Sequence, residues 1–486
     1  MNVALIVLVV YFALMAAIGM WTTRRSSTST EDYLLGGRRL GPAVTALRLQ
    51  SSSMSGYMFL GAGSLGFTQG YFGMWYALGD LGGGILNLSV LGRRMRKLSK
   101  MLGSVSSIEY LEDRYQSPWV RIVAAPIALG ALFLYVLSQF IAGGSGLASV
   151  TGLDFKVALL IAVGVIVLYT FLGGYLAVAY TDFIQAIVML IGMLWILIAT
   201  LRSVGGVTTG HERVGEVNPN LLTMWGADLQ YQADWGTILG ALLLFSIGYM
   251  GWPHVVVSHM AMEKPSVARG AGVYSMLFNI LFIPAPYLIG TMAIVLLPGL
   301  SDPEQAIFEV AKSVLPEFAV GIVMAAVMAA IMSTADALLL QTSTIAARDV
   351  FGRFFIKNMS ERQMVRISRT MVLLLAAGGI GLALWQPPGV FALVVFATTI
   401  LGSAFAPAYI CAVWWQKANS VGAIASMIAG TVVSVAWKQS GLADMTSTDP
   451  MLAGLLASTI AMVVGSLLTQ KSHPVSSEIR EAMADL

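Results

Sequence analysis

Most of the chain alternates apolar runs of about 20 residues, the length of a helix crossing a bilayer, with short polar clusters. Such runs fall near 3–22, 42–70, 73–92, 118–150, 157–174, 176–203, 235–262, 270–298, 317–350, 366–385, 389–415, 419–437 and 450–469, about thirteen in all. Backbone inside hydrocarbon must satisfy its own hydrogen bonds, so runs of this length are read as helices. The pattern therefore predicts an all-α polytopic membrane protein. Several runs exceed one straight crossing and are expected to tilt, break or extend into solvent.

Two runs carry polarity where hydrocarbon is expected. In TALRLQSSSMSGYMFLGAG (45–63), Ser51, Ser52, Ser53, Ser55 and Gly56 lower helix propensity at mid-membrane. In SIGYMGWPHVVV (246–257), Gly248, Gly251 and Pro253 interrupt the ladder, and the proline removes a donor. Unwound backbone at that depth is tolerated where it lines a cavity or a binding site. Breaks in the second and seventh spans stand five apart, the spacing of an inverted-repeat transporter. A third polar cluster lies in GIVMAAVMAAIMSTADALLLQTSTIAARDV (321–350). On a helix, Ala330, Ser333, Thr334 and Ala337 share one stripe and Asp336 lies beside it. Paired hydroxyls with main-chain carbonyls suit a hard cation; the plainer reading is that both hydroxyls bond back one turn.

Composition agrees with a membrane protein: 57% of the 486 residues are hydrophobic and 11% charged. Cys411 is the single cysteine, so no intrachain disulfide forms, and four histidines with one cysteine make no convincing zinc site. No nucleotide loop or soluble domain is evident. The expectation is a carrier rather than an enzyme, with a small solute and the bilayer as partners, no nucleic acid, and a monomer as the working unit. No basic residue precedes the first run, and Arg24 and Arg25 follow it, the reverse of a secretory signal. Read as a true span with its N-terminus outside, it places 22 of the 28 Lys and Arg residues on inside segments. Five fall outside (Lys156, Arg202, Arg213, Lys312, Lys438) and Arg48 lies within a span. The basic bias predicts an N-out, C-in arrangement. Residues 204–234, with Trp225 and Tyr231 and followed by Trp235, are expected to form a packed outer cap, and 351–365 a basic amphipathic surface helix.

Arg48, Asp80, Asp182 and Asp336 sit inside spans, where charge is costly unless partnered. Arg48 and Asp80 are expected to form a structural ion pair between neighbouring helices. Asp182 opens the apolar part of its helix, where a first-turn carboxylate opposes the dipole. For Asp182 with Asp336, three readings stand at this point: a second cation, a retained proton, or separate structural roles.

Four stretches carry a resemblance: YLLGGRRLGP at 33–42, FLGGYLAVAYTDFIQAIVM at 171–189, GYMGWPH at 248–254 and AAIMSTADALLL at 329–340. Together they resemble the sodium:solute symporter family, from about Tyr33 to Lys471. The likeness implies thirteen spans around a leucine-transporter-like core of five-plus-five inverted repeats. One transporter domain then spans 1–486: an extra span at 3–22, repeats at 42–203 and 235–415, and two added spans at 419–469. Within the family, VAWKQSGL at 435–442 and the TALxxxSSxMSG pattern look most like proline symporters. AAIMST, WQPPG and QKANSVGA look equally like pantothenate symporters.

Carried over residue by residue, the family's sodium site falls on main-chain oxygens of Ser51, Met54 and Ala330 and the hydroxyls of Ser333 and Thr334. A second sodium site of some relatives maps to Asp182, Ser333, Asp336 and Ala337, where those relatives have hydroxyls at the last two. The solute site maps to Gln50, Ser53, Gly56, Tyr135, Gln139, Phe245, Tyr249 and Trp252. Proline symporters have an aspartate at the position of Ser53 and a tryptophan at that of Phe245, which argues against proline itself. The resulting expectation is a Na⁺-coupled symporter of a prokaryotic cytoplasmic membrane, importing a small, carboxylate-bearing solute such as a proline-like amino acid, pantothenate or an organic acid. Alternatives are a proton-coupled carrier and a membrane sensor or regulatory subunit with a symporter fold. A channel would need a continuous polar stripe instead of isolated midplane clusters. Sensors of this kind carry long signalling domains, whereas only a short polar stretch follows the last span here.

Overall fold

A computed structural model describes residues 3–23, 29–356, 358–385 and 389–485. Arg24, Arg25 and the middle of WQPPG lie outside the described residues. The described chain is helical throughout, and its one extended pairing is the isolated bridge between Leu40 and Met262. Among the described residues, nine helices are long and apolar enough to cross a membrane. Runs such as 42–70 and 235–262 are instead assembled from shorter helical pieces.

The most enclosed element is the central helix Glu317–Thr344, buried almost without interruption from Ala319 onward. A helix apolar on all sides has no solvent face to present and packs inside a bundle. It lies against Pro118–Thr151, Phe155–Ser203, Glu361–Ala383 and the first helix, Val3–Thr23. That first helix buries Leu8, Tyr11 and Met15 in the main core, so it is an integral part of the bundle. Phe155–Ser203 is two helices joined at Gly174, whose φ of 62° marks the bend. The ring of Tyr33 crosses the bend so closely that a Cβ at Gly174 would lie 2.8 Å from it.

The stretch YLLGGRRLGP is a fastening. Gly36 and Gly37 take left-handed φ values of 60° and 63° and turn the chain back on itself. Leu40 then exchanges backbone bonds with the strand-like end of the second broken run, Leu40 N to Ala261 O (3.3 Å) and Glu263 N to Leu40 O (3.0 Å). Buried Arg38 donates to Ser99 Oγ (3.1 Å), Met260 O (3.0 Å) and Ser104 O (2.6 Å), and its Nε meets Glu31 (2.6 Å). At this end of the bundle the two broken runs are therefore joined.

Two loop expectations meet different outcomes. The 204–234 segment packs as expected: Phe72 stacks on Tyr231 at 3.8 Å, Trp75 lies 6.2 Å from Trp225, and the Trp75 indole donates to Met224 O. The surface helix expected at 351–365 does not form. Instead Ile345–Phe355 continues the central helix as a π-helix, and Ser360 starts the next helix with a capping box to Gln363. The cause is charge pairing: Arg348 bonds Glu109 (2.8 Å), Arg353 bonds Glu112 (3.0 Å) and Asp349 accepts from Ser106 (2.6 Å). Those partners lie on Ser107–Tyr115 and at its N-cap, so the basic residues are drawn onto protein and away from a membrane surface.

Replacing Arg38 by Met keeps the apolar stem but strands the Met260 and Ser104 carbonyls. We expect about 3 kcal/mol of destabilisation, read as a lower apparent Tm in detergent; an unchanged Tm would show that the fastening is dispensable.

Candidate functional site

The first break arises from local competition for backbone acceptors. Ser51 Oγ donates to Arg48 O (3.2 Å), Ser52 Oγ to Leu49 O (3.3 Å), and Ser53 Oγ to Leu49 O (3.0 Å) and Gln50 O (2.9 Å). Hydroxyls bonding back in this way weaken the ladder, and the helix Pro42–Ser53 stops there. Met54 leaves helical geometry at φ −79°, ψ 71°. Ser55 then caps a new turn by accepting from Tyr57 N, and Gly56 N donates to Gln139 Oε1 (2.9 Å). Ser55 N turns to Ser53 O and Met58 N to Ser55 O, so the Ser51 and Met54 carbonyls are released from the ladder.

The freed Ser51 carbonyl meets the central helix. Ser333 Oγ donates to it at 2.9 Å and to Ala330 O at 3.2 Å, and Thr334 Oγ1 lies 3.5 Å from it. Of the five expected sodium-site residues, Ser51, Ala330, Ser333 and Thr334 thus converge. Met54 stands beside them at the break. Both hydroxyl side chains are fully buried. The group is made only of oxygen, the donor set a small hard cation requires.

The second break follows Trp235–Leu244. A 3₁₀ turn, Gly248–Gly251, leads to extended Trp252, and Pro253 opens the helix Pro253–Met260. The run is interrupted here as expected, and Pro253 begins the new helix, where its missing N–H costs nothing. Gly251 lies against the chain at Leu401 and Ala406, where an added Cβ would approach backbone atoms to 2.6 and 2.7 Å.

Rings gather between the two breaks. Trp252 stands edge-on to Tyr249 (4.9 Å), Phe245 (6.0 Å) and Tyr135 (6.0 Å), and stacks on His254 (5.7 Å). Tyr57 lies 5.2 Å from Phe245 and 5.8 Å from Phe391, and its hydroxyl meets that of Tyr287 at 3.0 Å. The Tyr249 hydroxyl donates to Leu49 O (3.1 Å), tying the second break to the first. Phe245, Tyr249, Trp252 and Tyr135 therefore meet as expected; Gly56 and Gln139 are bonded to each other, and Ser53 is half-buried beside Tyr249. Gln50 departs from this grouping, its amide lying against Gly84 and near Asn279. Among the described residues, both ends of that amide, the Trp252 indole N–H and both His254 nitrogens have no hydrogen-bond partner. Tyr57, Tyr76, Tyr287, Phe391 and His254 were not anticipated. Aromatic residues on apolar helices give no signal of their own until the helices are packed.

The buried charges are arranged differently from expectation. Arg48 does not pair with Asp80. It reaches Asp182 (3.8 Å), lies over the Tyr175 ring (4.2 Å to the centroid) and donates to Ser258. Asp182 sits eight residues beyond the Gly174 bend, so it does not cap its own helix. Its carboxyl lies close to that of Asp336. Tyr11, brought by the first helix and bonded from Gln185 (3.2 Å), faces both. Ala337, mapped to the same site, brings no side-chain oxygen. A guanidinium thus stands at Asp182 within the group mapped to the second cation site.

The sequence model of the Sodium:solute symporter family matches residues 33–430. The chain is 32% identical over 484 residues to the osmoregulated proline transporter OpuE of Bacillus subtilis (strain 168), covering 98% of this chain and 97% of that protein. It is 30% identical over 465 residues to the high-affinity proline transporter PutP of the same strain, covering 94% and 96% respectively. Among solved structures, a Na⁺-coupled sialic acid symporter in a substrate-bound outward-open state superposes with a TM-score of 0.79 at 17% identity, over 96% of this chain and 97% of that one. Mhp1, a nucleobase-cation-symport-1 family transporter in a closed conformation, gives 0.60 at 17% identity, over 93% and 98%. These last two likenesses are of fold.

A Cβ at position 251 has only backbone to displace. Gly251→Ala is expected to cost about 1–3 kcal/mol through overpacking, seen as a lower apparent Tm, while Gly272→Ala, with open space around it, leaves Tm unchanged. Equal effects of the two would refute the close approach.

Proposed function

The chain belongs to the sodium:solute symporter family, and on that premise we propose how its two breaks and central helix carry out transport. The protein is a multi-pass membrane protein and a Na⁺-coupled symporter that moves a small organic solute into the cell. The observation that carries the reading is the meeting of the released Ser51 carbonyl with Ala330, Ser333 and Thr334. Na⁺ is bound by the carbonyls of Ser51, Met54 and Ala330 and the hydroxyls of Ser333 and Thr334. It joins the first break to the central helix and so favours the state in which the solute site is assembled and open outward. Solute then binds between the breaks, among Gln50, Ser53, Gly56, Tyr135, Gln139, Phe245, Tyr249 and Trp252. Rocking of the bundle holding the breaks against the rest exposes both to the cytoplasm. No bond in the solute changes.

The finer architecture we propose is thirteen spans, with repeats at 42–203 and 235–415, an extra first span at 3–22 and two final spans at 419–469. The N-terminus lies outside and the C-terminus inside a prokaryotic cytoplasmic membrane, with a single chain as the transporting unit. Short bundle pieces ending at the two breaks support the repeat reading. The solute is a small carboxylate-bearing molecule of the proline-like class, since OpuE and PutP are proline transporters and the start of Pro253–Met260 leaves the His254 N–H for an anion. Asp182 and Asp336 we read as an internally balanced triad with Arg48, so that one Na⁺ moves per cycle.

Loss of even an outer-shell partner of a metal ligand costs about 10–100-fold in affinity. Replacing Ser333 and Thr334 together by Ala should therefore cut Na⁺-dependent uptake in proteoliposomes more than about tenfold and abolish the rise in Tm on adding Na⁺. Wild-type Na⁺ affinity in that double variant would remove the site. Uptake by the native protein should depend on Na⁺ with a Hill slope near one. Asp182→Asn should leave the slope alone but strand Arg48, costing about 3–5 kcal/mol; a slope near two that falls toward one in this variant would restore a second sodium.

A further inference from the structure

Among the described residues, every buried charged side chain but one has a partner. Arg38, Arg96 and Arg114 donate to main-chain carbonyls, Arg121, Glu109 and Asp349 belong to the cluster at one end of the bundle, and Arg48, Asp182 and Asp336 form the triad. The exception is Asp80. Its residue is 6% exposed, its main-chain carbonyl accepts from Asn279, and among the described residues no hydrogen bond or ion pair reaches its carboxylate. A buried carboxylate left without a cation costs several kcal/mol. At membrane depth such a residue is by default functional.

The surroundings of Asp80 say what would complete it. It lies on Met74–Asn87, a helix pressed into the gap between the two breaks by glycines: Gly79 and Gly83 lie against the Leu242 and Phe245 backbone, and Gly84 against the Gln50 amide. A Cβ at Gly83 would also touch the Tyr249 ring (3.6 Å). One turn earlier on the same stripe, Tyr76 faces Phe245 and Phe391. The carboxylate is within electrostatic reach of the hydroxyls of Tyr57, Tyr135, Tyr249 and Tyr287. A carboxylate on a helix packed against both breaks, with tyrosine hydroxyls in reach and rings one turn away, is suited to an organic ammonium, which pairs with the carboxylate and rests its alkyl groups on neighbouring rings. A bare metal ion gains less there, because rings replace the oxygens it needs.

We propose that Asp80 binds the cationic nitrogen of the transported solute, which is therefore a zwitterion such as an amino acid or betaine. The solute's own carboxylate points toward the start of Pro253–Met260. This rests on the symporter reading above and reverses one expectation from the sequence. The neutral Ser53 suggested a site with no counter-ion for an ammonium; the neighbouring helix supplies one.

The test uses purified full-length protein in detergent with Na⁺ present. Tm is followed against zwitterions (L-proline, L-alanine, glycine betaine) and against matched carboxylates lacking the nitrogen (cyclopentanecarboxylate, propionate). Wild type should be stabilised by at least one zwitterion and far less by its matched acid. Asp80→Asn, which keeps size and shape, should weaken the zwitterion by about a hundredfold, with the response to Na⁺ alone intact, and Asp80→Glu should retain the preference. The proposal fails if Asp80→Asn binds the zwitterion as wild type does, or if wild type answers only to the acids. It fails equally if Asp80→Asn loses the Na⁺ response, since Asp80 then serves the ion or the fold. If wild type itself shows neither Na⁺ stabilisation nor Na⁺-dependent uptake, the symporter reading falls and takes the proposal with it.

Discussion

The structure depends on one constraint: a carbonyl freed from a helix inside a membrane must be given another partner. The run of serines at 51–53 detaches the Ser51 carbonyl from its own ladder, and the acceptor is taken up by hydroxyls of a helix some 280 residues away in the chain. Much else serves to make that meeting possible. The central helix is enclosed on all sides so that Ser333 and Thr334 are presented without water. Gly251 and the glycines of Met74–Asn87 let neighbouring backbones close around the breaks. Arg38 and the Leu40–Met262 bridge fix the far ends of both broken runs relative to each other. The polar centre is thus held by elements that are themselves ordinary.

What was legible in the chain followed from local rules. Helix lengths came from apolar runs, and both breaks came from residue types that compete with a ladder or lack a donor. The pairing of Ser333 with Ser51 could be read because relatives share the motif and not because spacing requires it. Charge partners were not legible. Arg48 and Asp80 stand on consecutive spans, and chain proximity favoured their pairing, yet Arg48 turned to Asp182 on a helix more than a hundred residues on. Which side of a helix faces which neighbour is decided by packing, and no one-dimensional pattern carries it. The same reason hid the π-helical continuation at Ile345–Phe355, whose side-chain pattern reads as an ordinary helix. The acidic partners that hold it lie on Ser107–Tyr115.

The triad of Arg48, Asp182 and Asp336 separates two things the motif alone would merge. The FLGGYLAVAYTDFIQAIVM stretch resembles that of relatives, and its aspartate stands between charged neighbours here. A guanidinium stands on one side of it and a second carboxyl on the other. Tyr11 extends this group to the first helix, so an element outside the proposed repeats is held by the charges at the centre. Motif likeness is informative about the position of a residue and less so about its charge partners.

The hydrogen bond from Ser333 to the Ser51 carbonyl has a consequence for release. The same oxygen that would ligate an ion already accepts a proton donor, so an arriving ion must turn the hydroxyl hydrogen away before both oxygens face it. Binding is then an exchange of one satisfied arrangement for another, and its net gain is reduced by about 1 kcal/mol for each bond given up. Departure is eased by the same amount, because the hydroxyl swings back and no buried oxygen is left bare. An ion held at the proposed site would therefore be bound loosely, which suits a carrier that must let go into a compartment on every turnover.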